Sequence, residues 1–528
     1  MPKELSVIAK GAVFIFAGFA ASKVLAYIYK LVTSGLGPEE FGVFSLGIAI
    51  ASLLEIFAAM GLYQGILHFA AVYDSTGKPE KARGTILTGL KVQLVTSLVS
   101  SAMLFLFANY ISTTFFNDPQ LAIVLQVYAI LLPISVITST LMILTQAFKK
   151  IEYKIYVRSV FENIAKIAFT LVLFYLGYRL FGIMLGLLLS AIVAFAISLY
   201  LVQKKVFPIF GKGLKSAGNL GELFHYSWPL LAMGFFYTIL STTDTIMLSS
   251  LSGVYDAGIY NVAHPTANLL TVAPTAFSTL FLPVITGLYA QKKFKEFEKT
   301  FKVVTRWTFS CVFPCLLFTM LFAQEILAAM FGNIYAVGAG ALIILSIGIF
   351  AVTFEGSVRS VLESTKRTKL IFFNTVVSSC LNIVLNFFLI PLFGARGEAI
   401  IGASLATAFS YFLWNLLALV EVYQMEKVHP YGKEYSGAAI ASFISIAIFF
   451  LAKPYLPSIP SLSEYQGFSL IGFALIAGLG ISFLAIYAFL LILFKGLQPE
   501  DLEILKAAEN KTGLRLPLIR NFVKRFSR

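Results

Sequence analysis

Lys23, Tyr27, Lys30 and Ser34 recur at i, i+4, i+7 and i+11 within an otherwise apolar stretch. That spacing puts all four side chains on one face of a helix. A cation in hydrocarbon is costly, so it faces protein, a wet cavity or, near a helix end, the interface. Lys23 lies too deep for an easy escape to either interface, while Lys30 is nearer one end and long enough to reach it. Two ammonium groups on one stripe suit an anion such as a phosphate, held as point charges.

Further polar stripes follow. Ser45, Ser52 and Glu55 share one side of a second apolar segment. Glu55 is placed to balance Lys23, to bind a coupling ion (H+ or Na+), or to sit protonated in a packed site. Tyr237, Ser241 and Asp244 are spaced i, i+4, i+7, and His264, Asn268, Thr271 and Thr275 form the longest stripe in the chain. Pro265 and Pro274 interrupt that segment and free backbone carbonyls. Asp244 and His264 fall at similar depth, as a gate, a proton site or a buried hydrogen-bonded pair. Glu162 with Lys166 and Glu355 with Arg359 read as i, i+4 pairs that neutralise each other, Arg359 being the stronger of these for ligand contact. Asn374, Asn382 and Asn386 are suited to hydrogen-bonding neighbouring helices. No phosphate-binding loop, metal-ligand spacing or serine-nucleophile motif is present, so neither ATP hydrolysis nor a cofactor is expected.

The elements that must position these residues are membrane helices. Of 528 residues, 58% are hydrophobic and only 12% charged. Mean hydropathy is +0.85. A soluble chain carries about 25% charged residues. Fourteen stretches reach the length a spanning helix needs: 6–33, 41–68, 84–109, 120–147, 155–177, 181–202, 223–250, 257–287, 300–323, 337–362, 370–392, 399–422, 435–452 and 467–494. The first is too long for a signal peptide and lacks a clear cleavage site. The net charge of +14 does not point to nucleic acid, because the cations concentrate in alternate loops: Lys78, Lys81, Arg83; Lys149, Lys150, Lys154, Arg158; Lys292 to Arg306; Arg359 to Lys369. The intervening loops hold almost none. By the positive-inside rule the chain is a multi-pass protein of the cell (cytoplasmic) membrane with both termini cytoplasmic. The three cysteines lie in apolar segments as small hydrophobes. The tail from Pro499 offers a short amphipathic helix followed by cations suited to anionic lipid, or serves topology alone.

The chain also repeats itself at an offset of 216 residues. Gly37, Gly42 and Phe44 align with Gly253, Gly258 and Tyr260, and Gly186 aligns with Gly402. A six-helix repeat keeps its orientation, so the expected fold is all-α, with two parallel six-helix lobes plus two extra helices. The expected domains are 1–215, 216–430, 431–498 for helices thirteen and fourteen, and the basic cytoplasmic tail 499–528.

The stretch Gly35-Leu36-Gly37-Pro38-Glu39-Glu40-Phe41-Gly42-Val43-Phe44, with this topology, resembles the polysaccharide flippases of the superfamily that also holds the multidrug (MATE) exporters. The resemblance implies a central cavity lined by helices one, two, seven and eight, alternating access, and an isoprenoid-linked oligosaccharide as cargo. Lys23 and Lys30 would then meet phosphate, and Tyr27, Tyr237, Asn268 and Thr271 the sugar. The partners expected are that lipid-linked oligosaccharide and membrane lipid, the chain acting as a monomeric transporter and not an enzyme. A cation-coupled multidrug exporter is the alternative, kept open by Glu55 and Asp244. A membrane glycan polymerase or ligase is disfavoured by the lack of a large external loop.

Overall fold

The structure, a computed structural model, describes residues 18, 21–210, 219–354, 357–456, 468–494, 496 and 498. The start of the first expected span, the 215/216 domain boundary, Glu355 and the basic tail lie outside the described residues.

Every ordered element among the described residues is helical. After α1 (residues 21–34) come α2 (Pro38–Ala59), α3 (Leu62–Ser75), α4 (Pro79–Phe115), α5 (Pro119–Ala147), α6 (Glu162–Tyr175), α7 (Arg179–Leu201), α8 (Leu220–Leu251), α9 (Val254–Ala267), α10 (Val272–Ala290), α11 (Phe294–Leu321), α12 (Ala323–Phe331), α13 (Ala339–Phe354), α14 (Val358–Ser364), α15 (Thr368–Gly394), α16 (Ala399–Glu426), α17 (Ser436–Ala452) and α18 (Leu470–Leu493). Among the described residues, twelve helices are long and apolar enough to cross a membrane. The first and fifth expected spans are not among the twelve. The fifth is helical but compound: a turn at Glu152–Lys154, a π segment at Ile155–Phe161, then α6. Five charged residues, Glu152 to Lys166, dilute its apolar character.

The second span, expected as one helix, is broken, and the eighth is interrupted as its prolines indicated. Met60 and Gly61 both adopt left-handed φ, 53° and 67°, and split the second span into α2 and α3. In the eighth span a 3-10 segment, Asn268–Thr271, separates α9 from α10. Pro274 lacks the N–H that would bond the carbonyl of Leu270, and its ring crowds that carbonyl, so the α ladder gives way there.

By contact density the chain divides into two compact units, Met1–Val262 with Ser379–Ala403 and Ala263–Ser378 with Ser404–Arg528. These limits fall inside the eighth, eleventh and twelfth spans, not at the boundaries of the repeat. The first unit has a core around Leu62, Ile66, Ile86, Leu141 and Leu223. The second packs Phe281, Phe297, Phe301, Val361 and Val422 together. On α4, Val95, Leu98, Val99, Met103 and Leu106 are all exposed, a row that only lipid can solvate.

The repeat has a structural counterpart within the first unit. Gly37 and Gly253 cap α2 and α9 with positive φ, 92° and 120°. Pro38 opens α2, fixing φ where no N–H is needed, and Glu39 and Glu40 complement the dipole in its first turn. A Cβ on Gly42 would fall 1.8 Å from the carbonyl oxygen of Val254, and one on Gly258 would fall 2.0 Å from that of Pro38. Gly42 and Gly258 are repeat mates, as are Pro38 and Val254, so the contact is reciprocal. Gly186 and Gly402 likewise press on the helix before them, at Thr170 and Leu389.

Gly42→Ala and Gly258→Ala must each push two backbones apart. Each should destabilise the purified protein by about 1–3 kcal/mol, read as a lowered thermal midpoint in detergent. Gly234→Ala, where a Cβ meets nothing within 4 Å, should leave the midpoint unchanged. Equal midpoints for all three would remove the contact's importance.

Candidate functional site

Six of the expected site residues, Lys23, Tyr27, Lys30, Glu55, Tyr237 and Asp244, belong to the first unit. The other four, His264, Asn268, Thr271 and Arg359, belong to the second.

In the first unit the α1 stripe is not uniform. Lys23 is exposed, and Tyr27 and Lys30 are half-buried. Lys30 Nζ donates to the carbonyl of Asn261 at 3.2 Å and lies 6.0 Å from the centre of the Phe41 ring. The Asn261 side chain in turn donates to Thr245 Oγ1 on α8 at 3.0 Å. Lys30 therefore ties α1 to α9 beside the Gly42–Gly258 contact.

Asp244 has the most complete set of partners. It is 2% exposed, and its carboxylate accepts from Tyr260 Oη at 2.6 Å, Asn386 Nδ2 at 2.7 Å and Asn382 Nδ2 at 3.0 Å. These three donors are neutral groups from two other helices, α9 and α15. Hydrogen bonds to a charged acceptor are worth about 1.5–3 kcal/mol each, enough to fix the carboxylate between those helices. The Asn382–Asn386 pair does what its spacing suggested and bonds a neighbouring helix; Asn374 does the same in the second unit, donating to Glu421 at 2.8 Å.

Two local expectations are corrected. Arg158, read as a loop cation, sits in the π segment and chelates Glu162 at 2.7 and 2.9 Å. Glu162 is thus paired with Arg158 instead of Lys166, which lies 4.5 Å over the Tyr29 ring. The signal was present, since Arg158 and Glu162 are also i, i+4; the span was simply started too close to the arginine. The Arg158 charge also reaches Glu55 electrostatically, and Glu55 accepts from Ser135 Oγ at 3.2 Å. Arg158 is about one-third exposed, so it remains open to a ligand. Tyr237 is exposed on α8.

In the second unit the α9–α10 stripe bonds largely to itself. The Asn268 amide meets His264 Nε2 at 3.2 Å, and Thr271 Oγ1 donates to the Asn268 carbonyl at 2.7 Å. Arg359 pairs with Glu363 at 3.1 Å and stands 5.7 Å over the Trp414 ring. The expected Glu355 partner lies outside the described residues. No cluster of three or more metal-ligating side chains occurs among the described residues.

Of Arg179, Arg396 and Lys453, the cations of the otherwise cation-poor loops, Arg179 and Lys453 each bond an acid. Arg179 bonds Glu40 of the sequence motif at 2.9 Å and also the Leu36 carbonyl. Lys453 bonds Glu325 at 2.7 Å.

Residues 8–289, more than half of the chain, match the family described as polysaccharide biosynthesis protein. The chain belongs to that family. It is a membrane transporter of the polysaccharide flippase group within the superfamily that includes MATE exporters, and residues 229–388 also match the MatE family. It is not an enzyme. Among its relatives, an uncharacterized membrane protein of Methanocaldococcus jannaschii is 24% identical, over 79% of this chain and 85% of that protein. The capsular polysaccharide biosynthesis protein CapF of Staphylococcus aureus is 22% identical, over 78% of this chain and 98% of that protein. The fold is similar to that of the lipid II flippase MurJ in an inward closed conformation, with a TM-score of 0.69 and 14% identity, covering 91% of this chain and 98% of that one.

Asp244→Ala would leave the Tyr260, Asn382 and Asn386 donors without their acceptor. It should lower stability by about 2–5 kcal/mol, and Asp244→Asn by less. Thermal unfolding in detergent checks this; an unshifted midpoint for the alanine variant would show that the carboxylate is not the hub of this network.

Proposed function

We propose that this protein moves isoprenoid-phosphate-linked oligosaccharide, a precursor of cell-surface polysaccharide or glycan, from the cytoplasmic to the outer leaflet by alternating access. The observation that carries the reading is the family match over residues 8–289, which includes the cation stripe on α1. The reading takes the chain to cross fourteen times, with lobes 1–215 and 216–430, two added helices in 431–498, and both ends in the cytoplasm. Alternation of cation-rich and cation-poor loops supports that orientation, and the pairing of Arg179 and Lys453 with acids is consistent with it.

A lipid-linked sugar cannot cross unaided, because its phosphate and hydroxyls would enter hydrocarbon. Lys23 and Lys30 would hold phosphate, with Arg158 as a further cation. Tyr27, Tyr237, Asn268 and Thr271 would bond sugar hydroxyls, while His264, Glu55, Asp244 and Arg359 would line the path. Moving anionic charge outward across an inside-negative membrane is downhill by about 2.3 kcal/mol per charge per 100 mV. A second reading, cation-coupled drug export, draws on the MatE match and on Asp244, whose buried carboxylate is also the group best placed for coupling to H+ or Na+.

The test is flipping of a lipid-linked oligosaccharide by the purified protein in vesicles of controlled potential. An inside-negative potential should accelerate outward movement, and Lys30→Gln should slow it by at least about tenfold, with Lys30→Arg retaining most of the rate. Voltage-independent flipping would remove the electrical drive. Absence of any flipping, together with cation-driven drug efflux from the same vesicles, would replace the lipid reading with the exporter.

A further inference from the structure

A second concentration of charge lies in the second unit, on residues none of which is assigned to the cargo path. Lys295, Lys299, Lys302 and Arg306 follow the spacing i, i+4, i+7, i+11 along α11, and all four line one pocket of about 340 Å3. The remaining wall includes Glu434, in the turn that opens α17, and Gln498, just after α18. Glu298 also lines the pocket but is bound to Lys302 at 2.6 Å. Four cations against two carboxylates leave the pocket positive. Arg306 is only 4% exposed and forms the floor of the pocket, while Lys295 and Lys299 are exposed at its rim.

The repeat shows that the fold does not require two of these charges. Shifting by 216 residues puts Lys299 on Arg83, also a cation, but Lys302 and Arg306 on Ile86 and Leu90 of α4. There the same two positions are apolar and pack in the core of the first unit. At those two positions of α11 charge stands in place of packing.

We propose that this pocket binds the phosphate headgroup of an anionic phospholipid. One membrane-length helix, α11, supplies most of its wall, and the residues just before α17 and just after α18 complete it, at helix ends, where lipid phosphates lie. Exposed Phe294, Ile440, Phe443 and Phe494 on the same helices offer apolar surface to acyl chains. Basic pockets between membrane helices on the cytoplasmic side are suited to acidic headgroups, and Lys295, exposed at the rim, offers an ammonium to the phosphate. No residue lining the pocket is assigned to the cargo path, so the proposal stands whether the cargo is a glycolipid or a drug.

The experiment is titration of the purified full chain with phosphatidylglycerol, bound lipid being counted by native mass spectrometry. The unaltered chain should bind one phosphatidylglycerol tightly and phosphatidylcholine at least about tenfold more weakly. Lys295→Gln/Lys302→Gln should weaken phosphatidylglycerol by about 25-fold, from two lost cations. Lys292→Gln/Lys293→Gln removes the same charge from residues outside the pocket lining and should change it by less than about threefold. Lys295→Gln alone, at an exposed position, should cost about fivefold if the double variant does not fold. Equal losses in the two double variants would mean diffuse attraction and overturn the proposal. So would displacement of the lipid by inorganic phosphate at equal concentration. Binding that appears only in Glu500→Gln/Asp501→Asn/Glu503→Gln would assign the pocket to the chain's own acidic segment, and the proposal would fall.

Discussion

Hydrocarbon offers no hydrogen bonds, so every polar group placed in it must find a partner inside the protein. That constraint explains the helical architecture, and it explains the side chains as well. Asp244 is held by three neutral donors, Arg158 by a carboxylate one turn away, and Lys30 by a backbone carbonyl and an aromatic face. Each arrangement draws its partners from a different source; the bonds of Asp244 and Lys30 link separate helices that would otherwise be free to slide on apolar surfaces, while the Arg158–Glu162 pair neutralises charge within one helical run.

The starts of α2 and α9 meet where the sequence motif and its repeat mate lie. Glycine is needed at positions 42 and 258 because a backbone carbonyl already occupies the place of a Cβ. Lys30 is anchored next to the same contact. A residue proposed to hold cargo phosphate is thus also a tie between helices, so occupation of its ammonium by an anion would compete with its bond to Asn261. Such competition is a physical route by which cargo can bias one conformation over another.

Charge is distributed with two distinct logics. On the cation-poor side, Arg179 and Lys453 are each matched by an acid. On α11 the cations outnumber the acids and surround open space. The first pattern neutralises; the second leaves a positive surplus where lipid phosphates are found.

Much of this was legible in the residues themselves. Apolar runs of spanning length located the helices, because a bilayer admits little else. The duplicated glycines marked positions where backbones crowd, and the i, i+4 asparagines of the eleventh span announced interhelical bonds. What sequence spacing cannot specify is which partner a polar group meets across the space between helices. It placed Glu162 with Lys166, where the fold pairs it with Arg158, and it took the second span as a single helix. The interruption of the eighth span was legible in Pro274, whereas left-handed Met60 and Gly61 are set by packing that hydropathy does not record. Local composition determined that the chain is helical and lies in lipid; the three-dimensional packing alone decided that Asp244 faces Tyr260 and two asparagines, because donors from separate helices become neighbours only when those helices are packed together.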